Sequence, residues 1–259
     1  MHHTTAPDGT RLVYQVRGAG PPLLLLSGQA SPHTWWNGVR AELAAAHTTV
    51  TMDYRGTGAS DKPDTPHSTP GFAEDAVAVL DALGIERADV YGTSMGGRVA
   101  QWLAARHPER VRRLVLGCTS PGGGHAVERA DEVHRSLAQP DPAANRQALL
   151  ELMYTPDWLR HEPGPYWTLG DPDMPPHSRR GHLRASAQHD AWDALPTITA
   201  PTLVLHGGDD RLNPAANAPL LAERIPGARL HVIPGARHAY FEEFRDVAGP
   251  LVEAFLDAR

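Results

Sequence analysis

With a single cysteine, Cys118, the 259-residue chain cannot close an internal disulfide, so it is expected to suit a reducing compartment or to be indifferent to one. Cys118 itself reads as a buried core thiol. Long hydrophobic runs are also missing. The longest are far too short to cross a bilayer, and the opening MHHTTAPDGTRLVYQ has neither the basic nor the apolar region of a secretory signal. A cytoplasmic location is the expectation. Charge of one sign is scarce as well: 24 Lys and Arg stand against 30 Asp and Glu, spread without runs, for a formal net charge of -6. Such a balance gives no electrostatic reason to attract nucleic acid or an acidic membrane surface, which leaves a small molecule as the expected partner. His2 and His3 are adjacent but lack a third partner, so neither a metal nor a cofactor is expected. There are no internal repeats and no low-complexity tracts.

What the chain does have is an alternation of strand and helix patterns. Asp8-Gly9, set between Thr4-Thr5 and the alternating RLVYQVR, predicts a hairpin, and PPLLLLS after Gly18-Ala19-Gly20 predicts a strand buried on both faces. Apolar residues recur at helical spacing from Trp35 to His47, and the β-branched TTVTMDY then runs into the turn-forming RGTGASDKP. GFAEDAVAVLDALG predicts a helix stopped by Gly84, ADVYG a strand, SMGGRVAQWLAARH a helix and VRRLVLG a strand. Alternation of this kind implies a mostly parallel central sheet flanked by helices, an α/β fold. It lapses from about Ser120 to Pro196, which holds short helical patches such as AANRQALLELMY and SRRGHLRASAQHDAW. The expected organisation is a core of residues 1–119 and 197–259 with a mainly helical cap insertion at 120–196. Strands resume with APTLVLHG and RLHVIPG, separated by a helical segment around APLLAERI, and an amphipathic helix from about Phe241 to Leu256 closes the chain.

Gly92-Thr93-Ser94-Met95-Gly96 fits G-x-S-x-G directly after a strand and at the start of a helix, the context in which that motif carries chemistry. A sharp strand-to-helix turn forces the serine into a strained backbone and lifts its hydroxyl clear of the sheet, and side chains at Gly92 or Gly96 would collide with the neighbouring strand and helix. The first N–H groups of the helix favour negative charge nearby. A serine hydroxyl needs a base and a group to orient that base. LHGGDDRLNP places Asp209 and Asp210 just past one buried strand, and IPGARHAYFEE places His238 just past the next. Loops at the carboxyl ends of parallel strands are where such sheets assemble their sites, so residues distant in sequence can converge there.

On these segments the chain resembles the α/β-hydrolases over almost its whole length. Ser94 matches their nucleophile elbow, LHGGDDRLNP and PGARHAYFE their acid and histidine segments, and MDYRGTGASDKP the loop that usually follows their fourth strand. The resemblance implies a Ser94–His238–Asp210 triad, because the family's usual spacing fits Gly207, Asp210 and Pro214, whereas Asp209 would shift it by one. It also implies an oxyanion hole made by the backbone N–H groups of Gln29 and Met95. Gln29 follows Ser27-Gly28 where many relatives carry His-Gly, a departure that leaves the backbone donor in place. Similar versions occur in enol-lactonase and methylesterase branches. The implied activity is hydrolysis of a carboxylic ester or lactone through an acyl-enzyme. Two alternatives remain open: carbon–carbon bond hydrolysis on the same triad, whose members usually show a glycine-rich oxyanion loop unlike SGQASP, and a ligand-binding receptor with a slow triad.

Other residues have plainer readings. Trp35, Trp158 and Trp192 are candidates for lining an apolar substrate pocket, although core or cap packing is the commoner use of tryptophan. His182 and His189 could share a helix face toward the pocket, with solvated positions the simpler expectation. His107 at a helix end and His206 beside a tight turn need no functional role.

Overall fold

The computed structural model describes residues 1–258. The strands are β1 (His2–Thr5), β2 (Arg11–Arg17), β3 (Pro22–Leu26), β4 (Thr48–Met52), β5 (Ala88–Thr93), β6 (Val111–Gly117), β7 (Thr202–Gly207) and β8 (Arg229–Ile233). They form one sheet in the order β1-β2-β4-β3-β5-β6-β7-β8. β1 and β2 pair antiparallel around the Asp8-Gly9 turn, β2 pairs antiparallel with β4, and all other neighbours are parallel. This is the α/β architecture that the strand and helix rhythm predicts.

Helices cover both faces, which is why the central strands read as unbroken apolar runs. In β3, Leu24 and Leu26 point into one core with Val90, Leu114 and Val204, while Leu23 and Leu25 point into the other with Tyr91, Val115 and Leu205. The first core is closed by α2 (Thr69–Ala82), α3 (Met95–Arg106) and α8 (Asn217–Arg224). α2 buries Phe72, Ala76, Val79 and Leu80 at helical spacing, starts at Ser68, whose hydroxyl accepts the Gly71 N–H at 3.1 Å, and ends before Gly84 at φ +63°. The second core is closed by α1 (Arg40–Leu43), α9 (Tyr240–Glu243) and α10 (Arg245–Leu256).

Two predicted helices are broken. The apolar periodicity from Trp35 to His47 folds as a 3₁₀ turn, His33–Trp36, followed by the single-turn α1. Gly38 lies between them, and a Cβ there would stand 2.4 Å from a carboxylate oxygen of Glu242, so this stretch follows the contour of its neighbour. The closing helix is likewise two, α9 and α10, separated at Phe244.

Between β6 and β7 lie α4 (Asp131–Ser136), α5 (Pro142–Met153), α6 (Pro156–His161) and α7 (Pro176–Ala187). The caps are local. Asp141 accepts from the N–H groups of Ala143 and Ala144, and the Thr155 hydroxyl accepts from Trp158 N–H. α5 and α7 fall on the predicted patches, and α4 and α6 are additional. No helix among the described residues is long and apolar enough to cross a membrane.

The histidines of this stretch correct the solvated expectation. His182 on α7 is fully buried, its Nδ1 accepting the Ala30 N–H at 3.3 Å and its Nε2–H donating to Arg55 O at 2.9 Å. His189 is 2% exposed, bonded to the Thr69 hydroxyl at 2.9 Å. Both rings tie α7 and the turn after it onto the sheet's loops.

His182 also packs against His67, ring centroids 5.5 Å apart, with Phe72 beside both. Burial, with the Arg55 charge and then His177 behind it, pushes His67 down to about 4; burial, offset partly by the Arg55 carbonyl, pushes His182 down to about 4. Both groups bind protons less readily when folded than at their ordinary value of 6.5. Between those values the unfolded state therefore holds more protons, and stability falls as pH drops from 6.5 toward 4. Neither ring nitrogen of His67 has a hydrogen-bond partner, so His67→Leu should flatten this dependence. Urea unfolding midpoints of wild type and variant at several pH values across that window check it, and equal slopes would refute it.

Candidate active site

Ser94 stands where β5 ends and α3 begins, with φ +57° and ψ -122°. A non-glycine residue there carries strain on the order of 1–3 kcal/mol, which persists only if the surroundings hold it. They do. Its N–H donates to Gly117 O at 2.9 Å, and its carbonyl accepts the Thr119 hydroxyl at 2.8 Å and the Gly97 N–H at 3.1 Å. A Cβ on Gly92 would lie 2.2 Å from Gly96 O, and one on Gly96 would lie 2.1 Å from Leu26 O and 2.6 Å from Ser27 O. The first turn of α3 therefore touches both β5 and the loop after β3.

That contact sets the start of α3, where Met95 lies, against Leu26 and Ser27, two residues before Gln29. Among the described residues neither backbone N–H donates to a protein acceptor: Met95 opens the helix, and Gln29 sits in a loop held by other bonds. Ser27 Oγ donates to Ser31 O at 2.9 Å, and Ser31 N–H donates to Gly28 O at 3.3 Å. Ser27 thus closes its loop internally.

Asp210 and His238 meet for an equally physical reason. A Cβ on Gly207 would stand 2.4 Å from Arg237 O, and Asp209 N–H donates to Ala236 O at 2.9 Å, so the turns after β7 and β8 lie against each other. His238 Nδ1–H donates to Asp210 Oδ2 at 2.6 Å, while Asp210 Oδ1 accepts the N–H groups of Leu212 and Asn213, each at 2.9 Å. Asp209 is exposed and makes no such contact. Burial works to raise the Asp210 carboxyl, but facing His238 and His206 outweigh it and hold the group far below the usual carboxylate range. It is an anion at neutral pH, buried with its partner. With Nδ1 committed to Asp210, the other nitrogen of His238, Nε2, is buried without a hydrogen-bond partner.

Four contributors carry little signal in the sequence. His206 Nε2–H donates to Asn213 O at 2.8 Å and lies 3.4 Å from Asp210 Oδ2. Asn213 Nδ2 donates to Cys118 O at 2.7 Å, linking the acid turn to the end of β6. The hydroxyls of Tyr91 on β5 and Tyr240 just past His238 share a bond of 2.9 Å. Only the Asn-Pro following the acid hints at any of these. Cys118 is fully buried, and burial, with the Asp210 charge behind it, pushes its thiol up and keeps it unreactive.

The tryptophans part company. Trp35 is 3% exposed, donates from its indole to the Thr93 hydroxyl at 2.9 Å and backs Gly28, where a Cβ would meet its ring at 2.5 Å. It braces the loop that carries Gln29. Trp158 stacks on Tyr154 with centroids 6.2 Å apart, whereas Trp192 stacks on His125 at 4.1 Å, lies under Arg224 and packs on the α2–α3–α8 side. A cavity of about 570 Å³ opens between α4, α5 and α6, with Arg211 and Arg237, the neighbours of Asp210 and His238, in its wall. No group of three or more His, Cys, Asp or Glu among the described residues could hold a metal ion.

A family model for the alpha/beta hydrolase fold matches residues 21–244. A 2-hydroxymuconate semialdehyde hydrolase of Pseudomonas putida is 34% identical over 263 residues, covering 96% of this chain and 91% of its own. RutD of Azorhizobium caulinodans, to which carbamate hydrolysis is provisionally assigned, is 32% identical over 260 residues, covering 94% of each chain. The crystal structure of the enol-lactonase from Burkholderia xenovorans superposes with a TM-score of 0.86 at 26% identity, covering 99% of this chain and all of the other.

The tightness of the helix start can be tested without any substrate. Gly96→Ala should lower the unfolding free energy by about 3 kcal/mol or more, since the colliding atoms are backbone and cannot turn aside. Gly249→Ala, inside α10 with nothing within 4 Å, should be neutral or raise it by up to about 1 kcal/mol. Urea denaturation of both variants checks the contrast, and a harmless Gly96→Ala would mean that the elbow is loose.

Proposed function

Because the chain belongs to the α/β-hydrolase family, we propose that it is a serine hydrolase which transfers an acyl group from a carboxylic ester or lactone to water. The observation that carries this reading is the buried Asp210–His238 bond of 2.6 Å, which commits Nδ1 and leaves Nε2 without a hydrogen-bond partner and free to act as a base. In the proposed reaction His238 Nε2 takes the Ser94 hydroxyl proton as Oγ bonds to the substrate carbonyl carbon. The carbonyl oxygen becomes an anion, stabilised by the N–H groups of Gln29 and Met95. The C–O bond to the leaving alcohol then breaks, with Nε2–H returning the proton to that oxygen. Water, deprotonated by the same nitrogen, attacks the acyl-enzyme, and Oγ leaves with the proton. Asp210 remains ionised throughout, holding the imidazole in the productive tautomer and offsetting its positive charge.

Residues 120–196 are read as a cap that supplies substrate choice and no triad member, with Trp158 a candidate for its wall. A second reading has its own support in the 34% identity to a 2-hydroxymuconate semialdehyde hydrolase: the same triad would cleave a carbon–carbon bond. A screen of esters, lactones, carbamates and carbon–carbon cleavage substrates, with Ser94→Ala as control, separates the two by which bond is broken. A ligand-binding receptor with a slow triad would be labelled but would turn none of them over.

An active-site phosphonate should label wild type at Ser94, and Ser94→Ala and His238→Ala should each lose several orders of magnitude in turnover while staying folded. Near-wild-type turnover in Ser94→Ala would end the serine mechanism. Asp210→Asn favours the wrong imidazole tautomer, a change that costs about 10⁴ in a worked serine-protease case. Asp209→Asn should stay within roughly tenfold of wild type, about 1.4 kcal/mol in barrier. Side-by-side kinetics on one aryl ester decide the ranking, and its reversal would move the acid to Asp209. Trp158→Ala should alter the ratio of kcat/KM between small and bulky esters, whereas an equal loss on all of them would indicate packing alone.

A further inference from the structure

The turn that carries His238 is fastened as much to the segment between β6 and β7 as to the sheet. His238 N–H donates to Leu152 O at 3.4 Å and Ala239 N–H to Met153 O at 2.9 Å, while Arg237 Nη1 donates to the carbonyls of Glu151 and, at 3.1 Å, Tyr154. One step further along both strands of this contact, Thr155 N–H donates to Glu243 Oε2 at 2.9 Å and its hydroxyl to the other Glu243 oxygen. Between these contacts the Tyr154 hydroxyl donates to Glu242 Oε2 at 2.5 Å and shares a bond of 2.8 Å with the Thr168 hydroxyl. The end of α5 and the chain from Arg237 to Glu243 are thus zipped together residue by residue.

Glu242 is the anomalous member. It is 8% exposed, pairs with no Lys, Arg or His among the described residues, and has its second oxygen against Gly38. Burial pushes its carboxyl up from the ordinary value, with the Tyr154 hydroxyl opposing. Arg245 is near enough to favour its charged form but makes no ion pair with it, and a buried carboxylate held without a direct pair is an expensive way to fill a core position, where an apolar side chain would pack at lower cost. What the carboxylate supplies that a leucine would not is a direction: a short bond to one hydroxyl on another element. It stands one helical turn after His238, on α9.

We propose that Tyr154 and Glu242 are positioning residues for His238, their hydroxyl–carboxylate bond fixing α9 on the end of α5 and so aiming the imidazole at Ser94. The proposal rests on the serine-hydrolase reading above. Ser94 and Asp210 are mounted on β5 and β7, whereas His238 takes part of its mounting from the 120–196 segment. Loss of the bond therefore misaims the base and leaves the nucleophile and acid in place.

Four variants test it: Tyr154→Phe, Glu242→Leu, Glu242→Gln and the double variant Tyr154→Phe/Glu242→Gln. Each is assayed for kcat and KM on an aryl ester and for the rate of phosphonate labelling at Ser94, with circular dichroism confirming the fold. Tyr154→Phe and Glu242→Leu should lower kcat and labelling together by about 10- to 100-fold with little change in KM, the scale on which a misplacement of about 1 Å acts. Glu242→Gln keeps an acceptor for the hydroxyl and should recover most of the rate, and the double variant should be no slower than Tyr154→Phe. A packing role predicts the opposite order, with leucine tolerated better than glutamine; that order, wild-type labelling in Tyr154→Phe, or losses confined to KM would overturn the proposal. If Tyr154→Phe does not fold, the leucine-to-glutamine ranking decides alone. Unlabelled wild type, with Ser94→Ala as active as wild type, would instead remove the serine mechanism, and this proposal with it.

Discussion

Everything at the candidate site depends on how closely α3 approaches the strands beneath it. At Gly96 the helix backbone comes so near to Leu26 and Ser27 that a methyl group would stand 2.1 Å from a carbonyl oxygen. No reorientation of a side chain relieves a clash between backbones, so the approach exists only with glycine. From it follow the left-handed φ of Ser94 and the contact of the start of α3 with the loop that leads to Gln29. Trp35 supports the far side of that loop, filling the space behind Gly28 and bonding to Thr93 next to the serine. A residue that sequence alone offers as a pocket wall is, in place, a brace.

The second half of the site solves an electrostatic problem. A buried carboxylate is stable only with its lone pairs occupied and a compensating charge nearby. Asp210 has two backbone N–H donors on one oxygen and His238 on the other, with His206 alongside. The group remains an anion in surroundings that would otherwise protonate it. His206, beside a tight turn in the sequence, bonds to Asn213 O and so helps to shape the turn as well as its field.

Much of this was legible before any coordinates. The alternation of β-branched runs and amphipathic stretches fixes the parallel sheet, because period and length are local properties of a sequence. Ser94 and Asp210 are legible because each stands just past a fully buried strand, and His238 because it follows the turn after the edge strand β8, though that strand is itself mostly exposed. What stays illegible depends on neighbours far along the chain. The periodicity of Trp35 to His47 is helical, yet Gly38 gives way to Glu242 and the helix breaks. His182 and His189 look like surface histidines until α7 is laid across Ala30, Arg55 and Thr69. The Tyr154–Glu242 bond joins residues 88 positions apart, and neither residue type announces it.

The division between legible and illegible parts also bears on how relatives of one fold come to differ in chemistry. The Pseudomonas putida relative, at 34% identity, is named a 2-hydroxymuconate semialdehyde hydrolase, and the Burkholderia xenovorans structure, at 26%, is an enol-lactonase. Both match nearly the whole chain. Backbone contacts like those at Gly96 and Gly207 tolerate almost no variation, since a single added carbon would break them, so they cannot be where specificity is adjusted. In the stretch from α4 to α7 the tightest glycine contact, that of Gly181, is with the His67 side chain and not with backbone. The stretch packs through side chains and caps its own helices, and it meets the His238 turn through hydrogen bonds that other residues could make. Substitutions there leave the backbone contacts of the turn at Ser94 undisturbed. A scaffold built this way fixes the turn at Ser94 by backbone contacts and leaves the stretch from α4 to α7 freer to change.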